Sequence, residues 1–267
     1  MLRAVAEGFH ALAQRRTLGS LLVFLAFFLA WEGAVRLFHI RDFLLPTPSA
    51  IAVTMYQKRL YLLEHSVPTL VTIVLGFVLA AVTGFVIAVG VAYSRWLNEI
   101  SYPFLVTSQV IPKIALAPLF LVWFGFGITP KVVIAALIAF FPIVINTAKG
   151  LTSVEPELIQ FMRSLGAKWH EIFFKISLPW ALPYIFAAFK ISMTLAVVGA
   201  VVGEFVGSDK GLGYLVMYHH ITFETRLMFA GLMALSIIGV ALFLLVVLAE
   251  HYLLSWQASI ETPPETM

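Results

Sequence analysis

Six apolar stretches, each long enough to cross a bilayer as a helix, dominate the sequence and exclude most other folds. A span needs about 20 consecutive apolar helical residues. The stretches run roughly from Leu18 to Phe38, Val67 to Tyr93, Ile100 to Phe124, Lys131 to Thr147, Trp180 to Val206 and Leu227 to Leu254. They far exceed the roughly 10-residue alternating segments of an outer-membrane barrel, which argues against strands. Of 267 residues, 61% are hydrophobic and 12% charged, whereas soluble domains carry roughly 25% charged residues. A soluble core of this size would lack the polar surface to cover it. The expected fold class is therefore all-α: a polytopic membrane protein with six transmembrane helices, one domain over residues 1–267, and a disordered tail over about 256–267. The third stretch, interrupted by Pro103, Pro112 and Pro118, is a broken span.

Several function classes drop out. The chain has no cysteine, so a disulfide framework or thiolate metal site is impossible. The net charge of +3 comes without an arginine-rich run or aromatic-basic interleaving, so nucleic acid is not an expected partner. Gly207-Ser208-Asp209-Lys210-Gly211 does not have the phosphate-loop spacing and reads as a turn on the outer side. His170-Glu171 lacks the second histidine of a zinc protease, because Phe174 stands there. The adjacent His219 and His220 point in divergent directions and make a poor metal pair. Arg15 and Arg16 precede the first span, but its apolar length and the lack of a small-x-small cleavage site identify an uncleaved helix.

Lysine and arginine asymmetry sets the orientation. With the N-terminus inside, the segment between the fourth and fifth spans is the most basic loop, carrying Lys149, Arg163, Lys168 and Lys175. An even number of spans then places both termini in the cytoplasm.

That basic loop is the most informative segment. Glu155-Pro156-Glu157 starts a helix, since proline suits the first turn and acids complement the helix dipole. Leu158, Met162 and Leu165 share one face, and Gly166 forms a C-cap or sharp corner. A second amphipathic stretch follows, with Trp169, Ile172, Phe173 and Ile176 apolar, and Leu178-Pro179 ends it. A short helix pair of this kind presents a rigid knob to a partner.

Gly166, nine intervening residues, Ile176, one residue and Leu178-Pro179 resemble the EAA loop of ABC importer permeases. Gln160-Phe161-Met162 stands where that family has Glu-Ala-Ala. The resemblance extends to Leu45-Pro46-Thr47-Pro48-Ser49, to Pro112-Lys113-Ile114-Ala115-Leu116-Ala117-Pro118-Leu119 with Trp123-Phe124-Gly125-Phe126-Gly127, and to Gly203-Glu204-Phe205 with Gly211-Leu212-Gly213. These segments are similar to the nitrate, sulfonate and taurine branch, which includes riboflavin and thiamine-pyrimidine precursor importers. The resemblance implies a type I importer permease in the bacterial inner membrane. It implies a homodimer, two ABC ATPase subunits that bind ATP and Mg, a solute-binding protein outside, and no ATPase site in this chain. Glu157, Gln160, Arg163, Gly166, Ala167, Lys168 and Pro179 would then couple to the ATPase. A self-contained carrier or intramembrane enzyme is the competing class; a carrier would more often show paired broken helices.

Ionisable and amide groups within spans cost free energy unless paired or beside water. Gln109, Lys113, Asn146 and Glu204 are the pathway candidates, against snorkelling for Lys113, a helix-helix hydrogen bond for the amides and a headgroup position for Glu204. Glu32 and Arg36, four apart, pair along one helix, and Lys190 reaches for the cytoplasmic interface. Gly76, Gly84, Gly90, Gly199 and Gly203 permit close helix packing, either within the chain or across a dimer.

Overall fold

A computed structural model describes Gly19 and residues 22–254. Among them there is no strand. The trace divides into two compact units: the described residues up to Leu62 with Leu215–Leu232, and Leu63–Tyr214 with the described residues from Met233 on. The tail expected to be disordered lies outside the described residues.

In the first unit a helix over residues 22–37 (α1) is followed by α2, Pro48–Gln57. The local sequence dictates the start of α2. Thr47 is the N-cap and its hydroxyl accepts the Ala50 N–H at 3.2 Å, while Pro48 occupies the first turn, where its missing N–H costs nothing. Glu32 of α1 accepts the Ser49 N–H at 3.0 Å and the Ser49 hydroxyl at 2.7 Å. It also holds Arg36 at 2.5 Å, so the expected Glu32–Arg36 pair exists and additionally clamps the next helix.

The chain continues through α3 (Arg59–Tyr93), α4 (Arg95–Val110), a 3-10 turn (Lys113–Leu116), α5 (Ala117–Phe124) and α6 (Ile128–Thr152). After α7 (Pro156–Ser164) come α8 (Trp169–Ile172), a π-turn (Phe173–Ser177) and α9 (Leu178–Gly207), then α10 (Leu212–Ile221) and α11 (Thr225–Leu253). Four of these stretches are long and apolar enough to cross a membrane: Arg59–Tyr93, Ile128–Thr152, Trp169–Gly207 and Thr225–Leu253. The first expected span lies partly outside the described residues. The third is broken at Ile111-Pro112, where the backbone turns extended, into a 16-residue helix and the shorter apolar piece Lys113–Phe124.

The second unit is built on the α6–α9 seam. Small residues recur on α9 at helical spacing, Ala188, Ser192, Ala196, Gly199, Ala200 and Gly203, and all are buried. They face Ala135, Ala136 and Ala139 of α6. A Cβ on Gly199 would lie 2.6 Å from the Ala135 Cα, and one on Gly203 would lie 2.9 Å from the Lys131 Cα. Gly76 of α3 meets the Ala135 side chain in the same way, at 2.5 Å. The glycines thus allow backbone-to-backbone approach inside the chain, which resolves the choice left open between internal packing and a dimer contact for Gly76, Gly199 and Gly203. Ser192 Oγ donates across the seam to the Ala139 carbonyl at 2.7 Å.

A half-buried ion pair ties α9 to α11. Lys190 Nζ donates to both Glu250 oxygens, at 2.9 and 2.8 Å. Lys190, expected to reach for the cytoplasmic interface, thus has an acidic partner 60 residues away, near the end of α11.

Gly199→Val should force α6 and α9 apart and lower stability by about 1–3 kcal/mol or more, the usual cost of overpacking. Gly33→Val, with open space around its Cβ, should be near neutral. Thermal unfolding of the detergent-extracted proteins checks the contrast.

Candidate functional site: the loop between α6 and α9

The expected helix start is present. Glu155 is the N-cap of α7 and Pro156 takes its first turn. At the other end the chain closes in a Schellman motif. The Ala167 N–H donates to the Met162 carbonyl at 3.1 Å, and the Gly166 N–H to the Arg163 carbonyl at 3.0 Å. Gly166 has φ +80°, a left-handed conformation that only glycine adopts freely. A Cβ on Gly166 would meet no atom within 4 Å, so backbone conformation alone demands glycine.

Lys168 then caps α8, its N–H donating to Glu171 Oε2 at 2.9 Å, and Lys175 lies 3.5 Å from the same carboxylate's other oxygen. Trp169 and Phe173 stack at 5.7 Å between centroids, and both meet the Tyr93 ring edge-on at 5.8 Å. This aromatic trio seats α8 against the end of α3.

Two details depart from expectation. Leu178-Pro179 does not end the second amphipathic stretch. Trp169–Gly207 is one uninterrupted helical stretch of 39 residues, because the π-turn absorbs the proline. Pro179 lacks an N–H, and its ring crowds the carbonyl four residues back, that of Lys175. Widening that turn, with the Leu178 N–H reaching the Phe173 carbonyl, relieves the crowding. In addition, Leu165, read as sharing one face with Leu158 and Met162, is exposed, as is Phe161 (66% and 59%). With exposed Glu157, Gln160, Arg163 and Lys168 they give the corner a mixed apolar and polar surface. Beneath α7 lies an open cavity of about 450 Å³, lined by Tyr93, Thr152, Pro156, Gln160, Arg163 and Ala167 among others. The helix is therefore held mainly by its two ends.

The pathway candidates separate. Lys113 follows the Pro112 break and is half-buried, with Nζ 4.6 Å above the Phe141 ring centroid. The Gln109 side chain lies outside the described residues. Asn146 Nδ2 donates to the Pro142 carbonyl of its own helix at 2.9 Å, so it makes no helix-helix bond with that group.

Glu204 belongs neither to a headgroup-facing surface nor to an open wall. It is 1% exposed and serves as a cap for α10. The first N–H groups of a helix have no partner within it. Here the Gly211 N–H donates to His65 Nδ1 at 3.1 Å, the Leu212 N–H to Thr69 Oγ1 at 2.7 Å and the Gly213 N–H to Glu204 Oε2 at 2.7 Å. Thr69 Oγ1 in turn donates to Glu204 Oε1 at 2.8 Å. No Cβ fits at Gly211 or Gly213, where it would approach Glu204 to 2.3 and 2.9 Å. The spacing of Glu204 to the Gly-Leu-Gly that follows was visible in sequence; that His65 and Thr69, from α3, complete the cap was not.

The two histidines diverge as expected. His219 is buried, with Nδ1 2.8 Å from Glu224 Oε2, and His220 is exposed. Among the described residues no group of acidic or histidine side chains has metal-binding geometry.

Long apolar helices, one broken beside a half-buried lysine, and a glycine-closed helical knob between two of them define a polytopic transport protein of the membrane. Residues 76–255 match the model of the binding-protein-dependent transport system inner membrane component, and the chain belongs to that family. It is the permease subunit of a binding-protein-dependent ABC importer. It is 38% identical to the riboflavin transport system permease protein RibX of Chloroflexus aurantiacus, over 91% of this chain and 89% of that one. It is 34% identical to the formylaminopyrimidine transport permease protein ThiX of Halalkalibacterium halodurans, over 88% and 94%. Identity to the putative aliphatic sulfonates transport permease protein SsuC of Bacillus subtilis is 36%, over 81% and 79%. The fold matches a chain of the inward-facing MetNI methionine ABC transporter with a TM-score of 0.63 at 23% identity, covering 72% of this chain and 96% of that one.

Glu204→Ala should orphan the Gly213 N–H, leave the Thr69 hydroxyl only the His65 carbonyl to donate to, and cost about 1–3 kcal/mol. Thermal unfolding in detergent should show the loss, and a cysteine at position 210 should label faster in the Glu204→Ala background. Unchanged stability and labelling would remove the capping role.

Proposed function

We propose that two copies of this permease form one pathway, with both termini and α7 in the cytoplasm and six crossings per copy, the third made of the broken α4–α5 segment. Each copy presents the α7 corner to one of two ATPase subunits, which bind ATP and Mg. A solute-binding protein delivers cargo at the opposite face. Glu157, Gln160, Arg163, Lys168 and the exposed Phe161 and Leu165 form the contact surface, and Gly166 with Ala167 sets its angle. Lys113, with Gln109 four residues before it across the break, is the polar group beside the pathway. The cargo is a small organic solute. Two relatives with high coverage are named for riboflavin and formylaminopyrimidine, which favours a heteroaromatic compound over an aliphatic sulfonate.

One observation carries the coupling reading. The corner at Gly166 leads directly into a 39-residue helical stretch, roughly 58 Å long at 1.5 Å per residue, so a push on the knob acts on a whole span. Coupling needs such an element with a defined contact in each state.

The Gly166 side-chain series tests it. Left-handed backbone costs ordinary residues about 1–2 kcal/mol, a β-branched side chain is strained most, and asparagine tolerates the conformation best. In the reconstituted complex, Gly166→Asn should transport near the wild-type rate, and Gly166→Val should assemble yet hydrolyse ATP with transport reduced at least tenfold. Wild-type transport by Gly166→Val would falsify the coupling role.

A further inference from the structure

The cavity beneath α7, about 450 Å³, is of a size that holds small organic molecules. It is lined from the ends of α3 and α6, from α7 and α8, and from the π-turn, all within the larger unit. Most of the lining is apolar or aromatic, with Tyr93 and Trp169 as its large rings. Among the described residues, the side chains of Gln160, Arg163 and Ser177 in that lining have no hydrogen-bond or ion-pair partner.

These three groups are not equivalent. Gln160 and Arg163 are exposed, and water satisfies an exposed polar group at little cost. Ser177 is 1% exposed, and a buried hydroxyl without a partner is costly and rare. In a regular helix a serine can donate to the carbonyl four residues back. Here that carbonyl, of Phe173, takes the Leu178 N–H instead, and the Ser177 hydroxyl is left to the cavity. Widened turns of this kind recur at functional sites. Arg163 differs from its neighbour Lys175, which has Glu171. Its guanidinium is a planar fork that matches a carboxylate.

We infer that this cavity binds a small planar organic acid. Arg163 takes the carboxylate, Ser177 and Gln160 bond polar atoms of the ring, and the apolar lining covers the ring itself. A bare inorganic anion would leave that lining unused. A neutral hydrocarbon would leave Ser177 and Arg163 unmet. Binding stands on this geometry alone. Its effect on the cycle rests on the proposed coupling role: Arg163 also belongs to the ATPase contact, so an acid beneath α7 draws it away and lowers hydrolysis.

The probe is indole-3-acetate, with indole-3-acetamide as its uncharged counterpart. Amide hydrogen exchange across residues 156–165 is followed in the full-length permease in lipid nanodiscs, alone and with its ATPase. The acid should slow exchange saturably, and the amide should need about tenfold more for the same protection. Arg163→Gln should abolish that preference. Ser177→Ala removes a hydroxyl that bonds nothing, so it should leave thermal stability unchanged and weaken both probes about threefold or more. Lys149→Gln, an exposed charge outside the cavity, should change nothing. No protection by the acid overturns the site, because the cavity would then hold only water. Equal weakening by Lys149→Gln and Arg163→Gln overturns it as general attraction to a basic loop. Protection that vanishes when the ATPase is added overturns it too, because the ATPase then fills the cavity. In the complex the acid should lower ATP hydrolysis at least twofold. Protection there with unchanged hydrolysis upholds the site and counts against the coupling role of α7.

Discussion

The close approach of α6 and α9 is the contact on which the larger unit depends. In a lipid environment there is no hydrophobic drive between helices, so association rests on van der Waals packing and on hydrogen bonds. The Gly199 and Gly203 backbones lie directly against Ala135 and Lys131, and Ser192 supplies a bond across the seam. Gly76 brings α3 to the same alanine. Two long helices, α3 and α9, thus converge on one short stretch of α6, and none of the three glycines has room there for even a methyl group.

This seam gives α9 a double attachment. At one end it is continuous with α8 and the Gly166 corner; at the other, Glu204 caps α10. The cap is a buried carboxyl group held by the Gly213 N–H and the Thr69 hydroxyl. The Lys190–Glu250 pair adds a lateral tie to α11. A permease must change shape without losing its span packing, and rigid rods with specific end contacts meet that requirement better than a uniformly soft bundle.

Much of this was legible from spacing alone. The Gly166 corner, the α7 start at Glu155-Pro156 and the proline break after Val110 depend on local backbone chemistry, and local chemistry is written in neighbouring residues. That Thr69 would meet Glu204, Glu250 would meet Lys190 and Ser49 would meet Glu32 was not legible, because each of these partners lies on another helix and hydropathy gives no information on which faces meet. Pro179 misled for a different reason. A proline ordinarily stops a helix, but a helix that can gain one residue in the preceding turn survives it, and nothing in the sequence around Phe173 announces that option. The split of the pathway candidates followed the same rule. Asn146 and Glu204 were flagged by their cost inside an apolar span, and the structure met that cost with bonds inside the protein.

The π-turn at Phe173–Ser177 also sets an angular phase. Each residue of an α-helix advances about 100° around the axis, so one residue accommodated in a widened turn shifts everything before it by about that angle relative to everything after. The face that carries Trp169 of α8 and Phe173 of the π-turn to Tyr93, and the face of α9 that buries Ala181 and Ile185, are set relative to one another by that shift. Regularising the turn would rotate the knob about its own shaft by more than a quarter of a revolution while leaving every span in place. The direction in which α7 points is therefore stored in a single turn of backbone, several residues away from the corner itself.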